Sequence, residues 1–413
     1  VTARRADPGA GRPVGPTRRS RERGRLLTLG CDNCPMDGSD PRAGRTARSA
    51  DFLEWNFSIM AGSSPWSVEQ GMTQLLAHQT ADGLALSLTD AVQADAMVIH
   101  ELGRRRTPTA LAALRAFAAM STVDTQRELA RMNADRLVGQ GVPEPSWAPA
   151  IGRVRVDGCW WARDPFDEIA FVLCAFSYDG ADEHAILTLI DRTIGGGLVR
   201  ELTLGTRVEP WLDLIRRAED DGDGLVGGPL DPALARRLIE DAVATSDELS
   251  ANPEYRLRPL PEAYWKMRAL TLARARALSD TAAPPEPFPS SVEIELLKRN
   301  FLASEAAASL PADAATRRAL DLLVTQFVEQ AACHPLRLGP RRVLVVLGLP
   351  ALASAGEDDP AVGRVLPDVA RAWVCWTATE RGLTPDATAR LVGVADQACA
   401  QLRAAIGQAP ETT

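Results

Sequence analysis

The run EIAFVLCAFSY at residues 168–178 is apolar at odd and even positions alike. A strand points successive side chains to opposite faces, so a strand of this composition needs cover on both. Around it lie CWWARD (159–164), HAILTLID (184–191) and LVRELTLG (198–205), short β-type runs separated by Asp and Gly turns. Four such runs in succession predict an antiparallel meander within residues 151–205. Most of the remaining chain carries helical spacing, which supplies the cover. The expected class is α+β: mainly α with a small antiparallel β-sheet insert. A helical bundle, or short α-solenoid-like helix pairs, would flank a four-strand meander.

Helix starts are marked by chemistry as well as by period. Ser64–Pro65, Thr107–Pro108, Asp231–Pro232 and Thr384–Pro385 each set a capping side chain before a proline suited to the first helical position. Apolar residues at 88, 92, 96, 99 and 102 follow a period near 3.6. These signals divide the chain into six segments. Residues 1–50 read as a disordered Arg/Gly/Pro-rich arm, too poor in apolar residues to offset the entropy of ordering. A helical domain follows at 51–150, then the meander. Residues 206–278 form a helical segment packing on the sheet, 279–291 a Pro-rich linker, and 292–413 a C-terminal helical domain.

Charge is unevenly spread. Residues 1–50 hold eleven arginines against five acids, a net of +6, which leaves −14 of the total −8 to residues 51–413. An acidic body repels polyanions, so nucleic acid is an expected partner only through the arm. Lysine occurs only at 266 and 298, and the arginine excess with abundant alanine reads as a GC-rich coding bias. Seven scattered cysteines fit reduced thiols. No charged-then-apolar leader opens the sequence, and the longest apolar stretch (343–356) is broken by Gly and Pro. The expectation is a soluble, cytoplasmic protein that does not enter a membrane.

Several motifs bear on chemistry. If the hairpin turn ran from Asp179 to Asp182, Ser177 would face His184 across the strands, as a nucleophile faces its base. The plainer reading is a polar rim, because no nucleophile elbow or oxyanion hole accompanies the pair. TIGGGLV (193–199) leads into a strand rather than a helix, so it suits a bulged turn and not a phosphate loop. Cys31 and Cys34 lack the second ligand pair of a zinc site, and His100–Glu101 lacks the second histidine of a zinc-protease helix. EDDGDGLVGGPL (219–230) resembles a calcium loop but ends in Leu230 where a bidentate Glu should close it; a solvated loop capping two helices is expected. Trp373 and Trp376 share a helical face and read as core, whereas Trp160 and Trp161 should split between sheet faces. No metal or cofactor is expected.

Residues 330–356 contain no acid. If Pro340 opens a helix, Arg341 and Arg342 fall in its first turn, where cations oppose the macrodipole at a cost of a few tenths to about 1 kcal/mol each. That placement calls for an anion: acids of a neighbouring helix, or a bound phosphate or carboxylate. His334, Arg337, Arg341 and Arg342 are the candidate anion-binding residues. GRRRTP (103–108), by contrast, sits at a helix C-terminus, where cations belong.

EHAILTLID with the following Gly-Gly, HPLRLGPRRV (334–343) and LPDVARAWVCWTATERGLTPDATARLV (366–392) resemble elements of an uncharacterised family of actinobacterial proteins. The resemblance covers residues 55–405. No activity is assigned to that family, so it implies no catalytic role; it implies that His184 and Arg337 fall within its defining elements. The leading expectation is an interaction or regulatory protein without enzymatic activity, taking a protein partner or a small anionic ligand near Arg341. One alternative is a hydrolase using Ser177 and His184, and another is nucleic-acid binding through residues 1–50.

Overall fold

The structure, a computed structural model, describes residues 41–60, 62–81, 88–193, 197–220, 224–251, 260, 262–284, 288–329 and 334–407. Among the described residues five helices come first: α1 (Pro41–Ile59), α2 (Pro65–Ala81), α3 (Leu88–Arg104), α4 (Pro108–Met120) and α5 (Asp124–Gly139). Strands β1 (Arg155–Arg163), β2 (Ile169–Tyr178), β3 (Ala181–Asp191) and β4 (Leu198–Gly205) follow. Next are α6 (Glu209–Asp220), β5 (Val226–Pro229), α7 (Pro232–Ala251) and α8 (Glu262–Leu278). The C-terminal part holds α9 (Ser291–Leu302), α10 (Ala314–Glu329), α11 (Pro340–Leu347), α12 (Pro350–Asp358), α13 (Pro360–Glu380) and α14 (Pro385–Gly407).

The four capping signals are realised. Ser64 Oγ accepts from Ser67 N at 3.3 Å, and Thr107 Oγ1 from Ala110 N at 3.1 Å. Asp231 Oδ1 accepts from Leu234 N at 3.1 Å, and Thr384 Oγ1 from Ala387 N at 3.3 Å. Each satisfies an N–H that the helix itself leaves without an acceptor.

The sheet is antiparallel throughout, in the order β4-β3-β2-β1-β5. It has five strands, not four, because Val226–Pro229, expected to be loop, pairs with the outer edge of β1. Gly227 and Gly228 bring no bulk opposite Ala162 and Trp161, and Pro229, which has no N–H to donate, is tolerated on an edge. β2 is covered on both faces as its composition demands. On one face Val172, Cys174 and Phe176 pack with Ile239 and Val243 of α7 and Tyr264 of α8. On the other, Leu173 packs with Trp211, Leu212 and Ile215 of α6.

Among the described residues two helical cores accompany the sheet. The N-terminal one gathers residues of α1–α5 with Leu270 and Ala273 of α8 and Ile186 of β3. The C-terminal one gathers α9–α14, including Trp373 and Trp376, around Phe166 from the β1–β2 loop. Helix starts at Pro41, so the expected arm boundary at 50 is too late; Ala50, Leu53 and Phe57 are buried along α1. The first turns of α1 hold no large apolar residue, which is why composition cuts the segment there. Residues 1–40, with Cys31 and Cys34, lie outside the described residues. Among the described residues no helix is long and apolar enough to cross a membrane.

Candidate functional site

The β2–β3 hairpin turns on two residues, Asp179 (φ 46°) and Gly180 (φ 81°), so Tyr178 pairs with Ala181. Asp-Gly with both residues left-handed is the favoured tight hairpin turn. Beyond it the register slips by one: Phe176, not Ser177, pairs with His184. Asp182, at φ 49°, is part of the bulge that makes the slip. The expected Ser177–His184 cross-strand pair is therefore corrected. Ser177 pairs with Arg155 on β1, and its buried hydroxyl makes no hydrogen bond.

The bulge aims His184 inward, where only 2 % of it is exposed. Its Nδ1–H donates to the Asp182 carbonyl at 2.7 Å, and its Nε2 accepts from Arg274 Nε at 2.8 Å. Arg274 also pairs with Glu69, and the other Glu69 oxygen, Oε1, accepts from Gly152 N at 2.9 Å. Arg274 is 1 % and Glu69 0 % exposed. Trp66 stacks on the imidazole with ring centroids 4.0 Å apart, and Phe176 and Tyr178 lie around the Arg274 guanidinium. Burial, then the Arg274 charge, pushes the His184 pKa down to about 4. The ring is thus neutral, and the lone pair that a general base would use is engaged. What this arrangement does is hold a charged pair inside the protein, with Arg274 bonded to both Glu69 and His184.

The second constellation begins with Asp164. Its carboxylate accepts from Phe166 N at 2.9 Å and from Glu168 N and Ile169 N at 3.0 Å, closing the β1–β2 loop. That loop carries Glu168 to the start of α11, which Pro340 opens as expected. Glu168 accepts from Arg341 N at 3.0 Å and Arg342 N at 2.7 Å. The N-terminal residue before the helix is Gly339, where a Cβ would stand 2.4 Å from Glu168 Cδ; only glycine admits the carboxylate. Burial raises the Glu168 pKa in spite of these bonds.

The structure brings all four sequence candidates of this region to known places. Arg337 pairs with Asp167 at 2.9 Å, and Arg341 with Asp191 at 3.4 Å. Buried Arg342 donates to the Arg337 carbonyl at 2.8 Å and to that of Arg192. His334 Nδ1 accepts from Leu336 N at 3.2 Å. The compensating anions come from a loop and the end of β3, not from a neighbouring helix. They could not be read from spacing, because Glu168 and Arg341 are 173 residues apart. Glu69 and Arg274 left a fainter signal: Leu270, Arg274 and Leu278 follow one another at four-residue spacing, a charge at a buried stripe's centre.

The remaining motifs carry less. Thr193 leads by Gly197 (φ 81°) into β4, as expected of a turn, with residues 194–196 outside the described ones. Residues 221–223 of the calcium-like run also lie outside. Among the described residues no three His, Cys, Asp or Glu side chains cluster as metal ligands. On the surface, α1 exposes Phe52 (52 %), Trp55 (61 %) and Ile59 (65 %), with Phe52 and Trp55 stacked at 6.4 Å. Their spacing sets them along one side of the helix, opposite Leu53 and Phe57.

No family model, no curated protein and no solved structure matches this chain.

Proposed function

We propose that the chain is a non-enzymatic interaction protein that docks a partner protein on the exposed side of α1. The observation that carries this reading is the Phe52–Trp55–Ile59 stripe. Large apolar side chains aligned on one helix face, with a tryptophan at the centre, are the anchors from which helix-in-groove interfaces are built. Exposed Arg48 stands one turn before the stripe, and the first fifty residues carry +6. The matching partner is a protein with an apolar groove and an acidic rim.

The test is a photo-crosslinking residue in place of Trp55 in the full chain, expressed in its own host, beside the same residue at exposed Asp386. A discrete adduct at 55 that Phe52→Asp/Ile59→Asp abolishes, and that position 386 does not give, supports the reading. An adduct of twice the chain mass would make the partner a second copy and overturn the acidic-groove assignment. Identical adducts at both positions, or none at 55, would overturn docking on α1 altogether.

A further inference from the structure

A small concavity of about 280 Å³ lies where α4, α5, α8 and the segment before β1 meet. Arg127, Arg153 and Arg276 line it, with Ile151, Gly152 and a wall of alanines from α4 and α8. The alanines make the hollow, since any longer side chain there would fill it. Gly152, at φ 75°, turns the chain so that Arg153 follows at the rim, and its N–H is fixed by buried Glu69. Arg274 and Arg276 stand two apart on α8, so they leave the helix on opposite sides. One closes the internal Glu69–His184 network and the other enters the hollow.

The three guanidiniums are not equally balanced. Arg127 pairs with Asp124, whose side chain is otherwise solvent-exposed, and donates to Ser121 O at 3.0 Å. Arg276 donates to the Ala119 carbonyl at 3.2 Å, which brings no charge. Among the described residues no carboxylate lies within ion-pair distance of Arg276 or Arg153. Burial, then the nearby Arg127 charge, pushes the Arg276 pKa down to about 10. The cluster at Arg337, Arg341 and Arg342 differs at each of these points: the chain's own carboxylates and carbonyls already face those cations. Asp124 and Glu240 act on Arg276 only from beyond ion-pair distance, and each is already paired, with Arg127 and Arg236, so the hollow holds two guanidiniums, Arg276 and Arg153, that no salt bridge among the described residues engages.

We propose that this hollow is a binding site for a small phosphate monoester. Two guanidiniums outside any salt bridge, Arg276 and Arg153, match the near-dianion of a monoester at neutral pH, and arginine's planar fork suits its oxygens. The alanine and Ile151 wall takes a short apolar body, and the volume, at the lower end of ligand pockets, admits little more.

The test uses the full-length protein in thermal-shift and calorimetric titrations at constant ionic strength. The probes are phenyl phosphate, inorganic phosphate and succinate. Phenyl phosphate is expected to bind more tightly than inorganic phosphate and to outcompete succinate. Arg276→Ala and Arg153→Ala are each expected to weaken it by about tenfold or more, the size expected for losing a charge-assisted hydrogen bond. Arg341→Ala is expected to leave it unchanged. Exposed Arg153 keeps the test valid if Arg276→Ala fails to fold. Failure of every probe to bind, equal binding by wild type and Arg153→Ala, or loss of binding in Arg341→Ala would overturn the site. Tighter binding of succinate than of phenyl phosphate would overturn the ligand class.

Discussion

His184 makes the fold sensitive to acid in a defined window. Its pKa is about 4 in the folded chain and 6.5 as an ordinary imidazole. As pH falls, the unfolded chain takes up the proton first, so stability is lost from about pH 6.5 downward and the loss levels off near pH 4. Integrated over that interval, the loss is about 2 kcal/mol by pH 5 and about 3 kcal/mol by pH 4. The physical source is burial first and the Arg274 charge second: a protonated ring would sit in a space closed to water and present a proton to a guanidinium. His184→Gln keeps an acceptor for Arg274 and removes the titration. Urea unfolding followed by tryptophan fluorescence, at pH 7.5 and pH 5, gives four stabilities and one double difference. Wild type should lose about 2 kcal/mol more than the variant between these pH values, all other groups cancelling. Equal losses in the two proteins, or a folded-state imidazole that titrates near its ordinary value by NMR, would refute the neutral, engaged ring.

Three further outcomes are expected. Glu168→Ala strips the acceptor from two N–H groups at the start of α11 and should destabilise by about 2–4 kcal/mol in denaturant melts. Gly339→Ala should cost about 2 kcal/mol or more, because its Cβ would meet the Glu168 side chain, whereas exposed Gly393→Ala in α14 meets nothing and should stabilise by about 0.5–1 kcal/mol. Trp373→Ala empties a fully buried position and should cost about 3–5 kcal/mol, while Trp55→Ser should stay within about 0.5 kcal/mol; a reversed order would contradict the placement of the two tryptophans.

Local chemistry was the part of the fold that the sequence made legible. Capping side chains, N1 prolines and the two-sided strand each act within a few residues, and Ser64, Thr107, Asp231, Thr384 and β2 behave accordingly. The hairpin register was readable in principle from Asp179–Gly180, but the bulge at Asp182 depends on where His184 finds its partner. β5 was hidden because Gly-Gly-Pro is a poor strand by composition and pairs only because β1 offers an edge. The carboxylate and guanidinium partners of His184 and of the α11 arginines lie outside any sequence window, 90 and at least 150 residues away. Charges there are decided by the tertiary structure, so spacing located the cations and left their anions unseen.

The network around Glu69 also orders events during synthesis. A chain leaving the ribosome N-terminus first exposes α2 and the hairpin well before residue 274 emerges, 205 positions after Glu69. Until then Glu69 has no guanidinium to accompany it inward, and its carboxylate stays in water. The leading helices are therefore expected to assemble only loosely until α8 brings Arg274 to Glu69. The β1–β2 loop waits longer still, for the amides of Arg341 and Arg342. Nascent chains halted before α8 should remain open to protease across α2, and those halted beyond it should not.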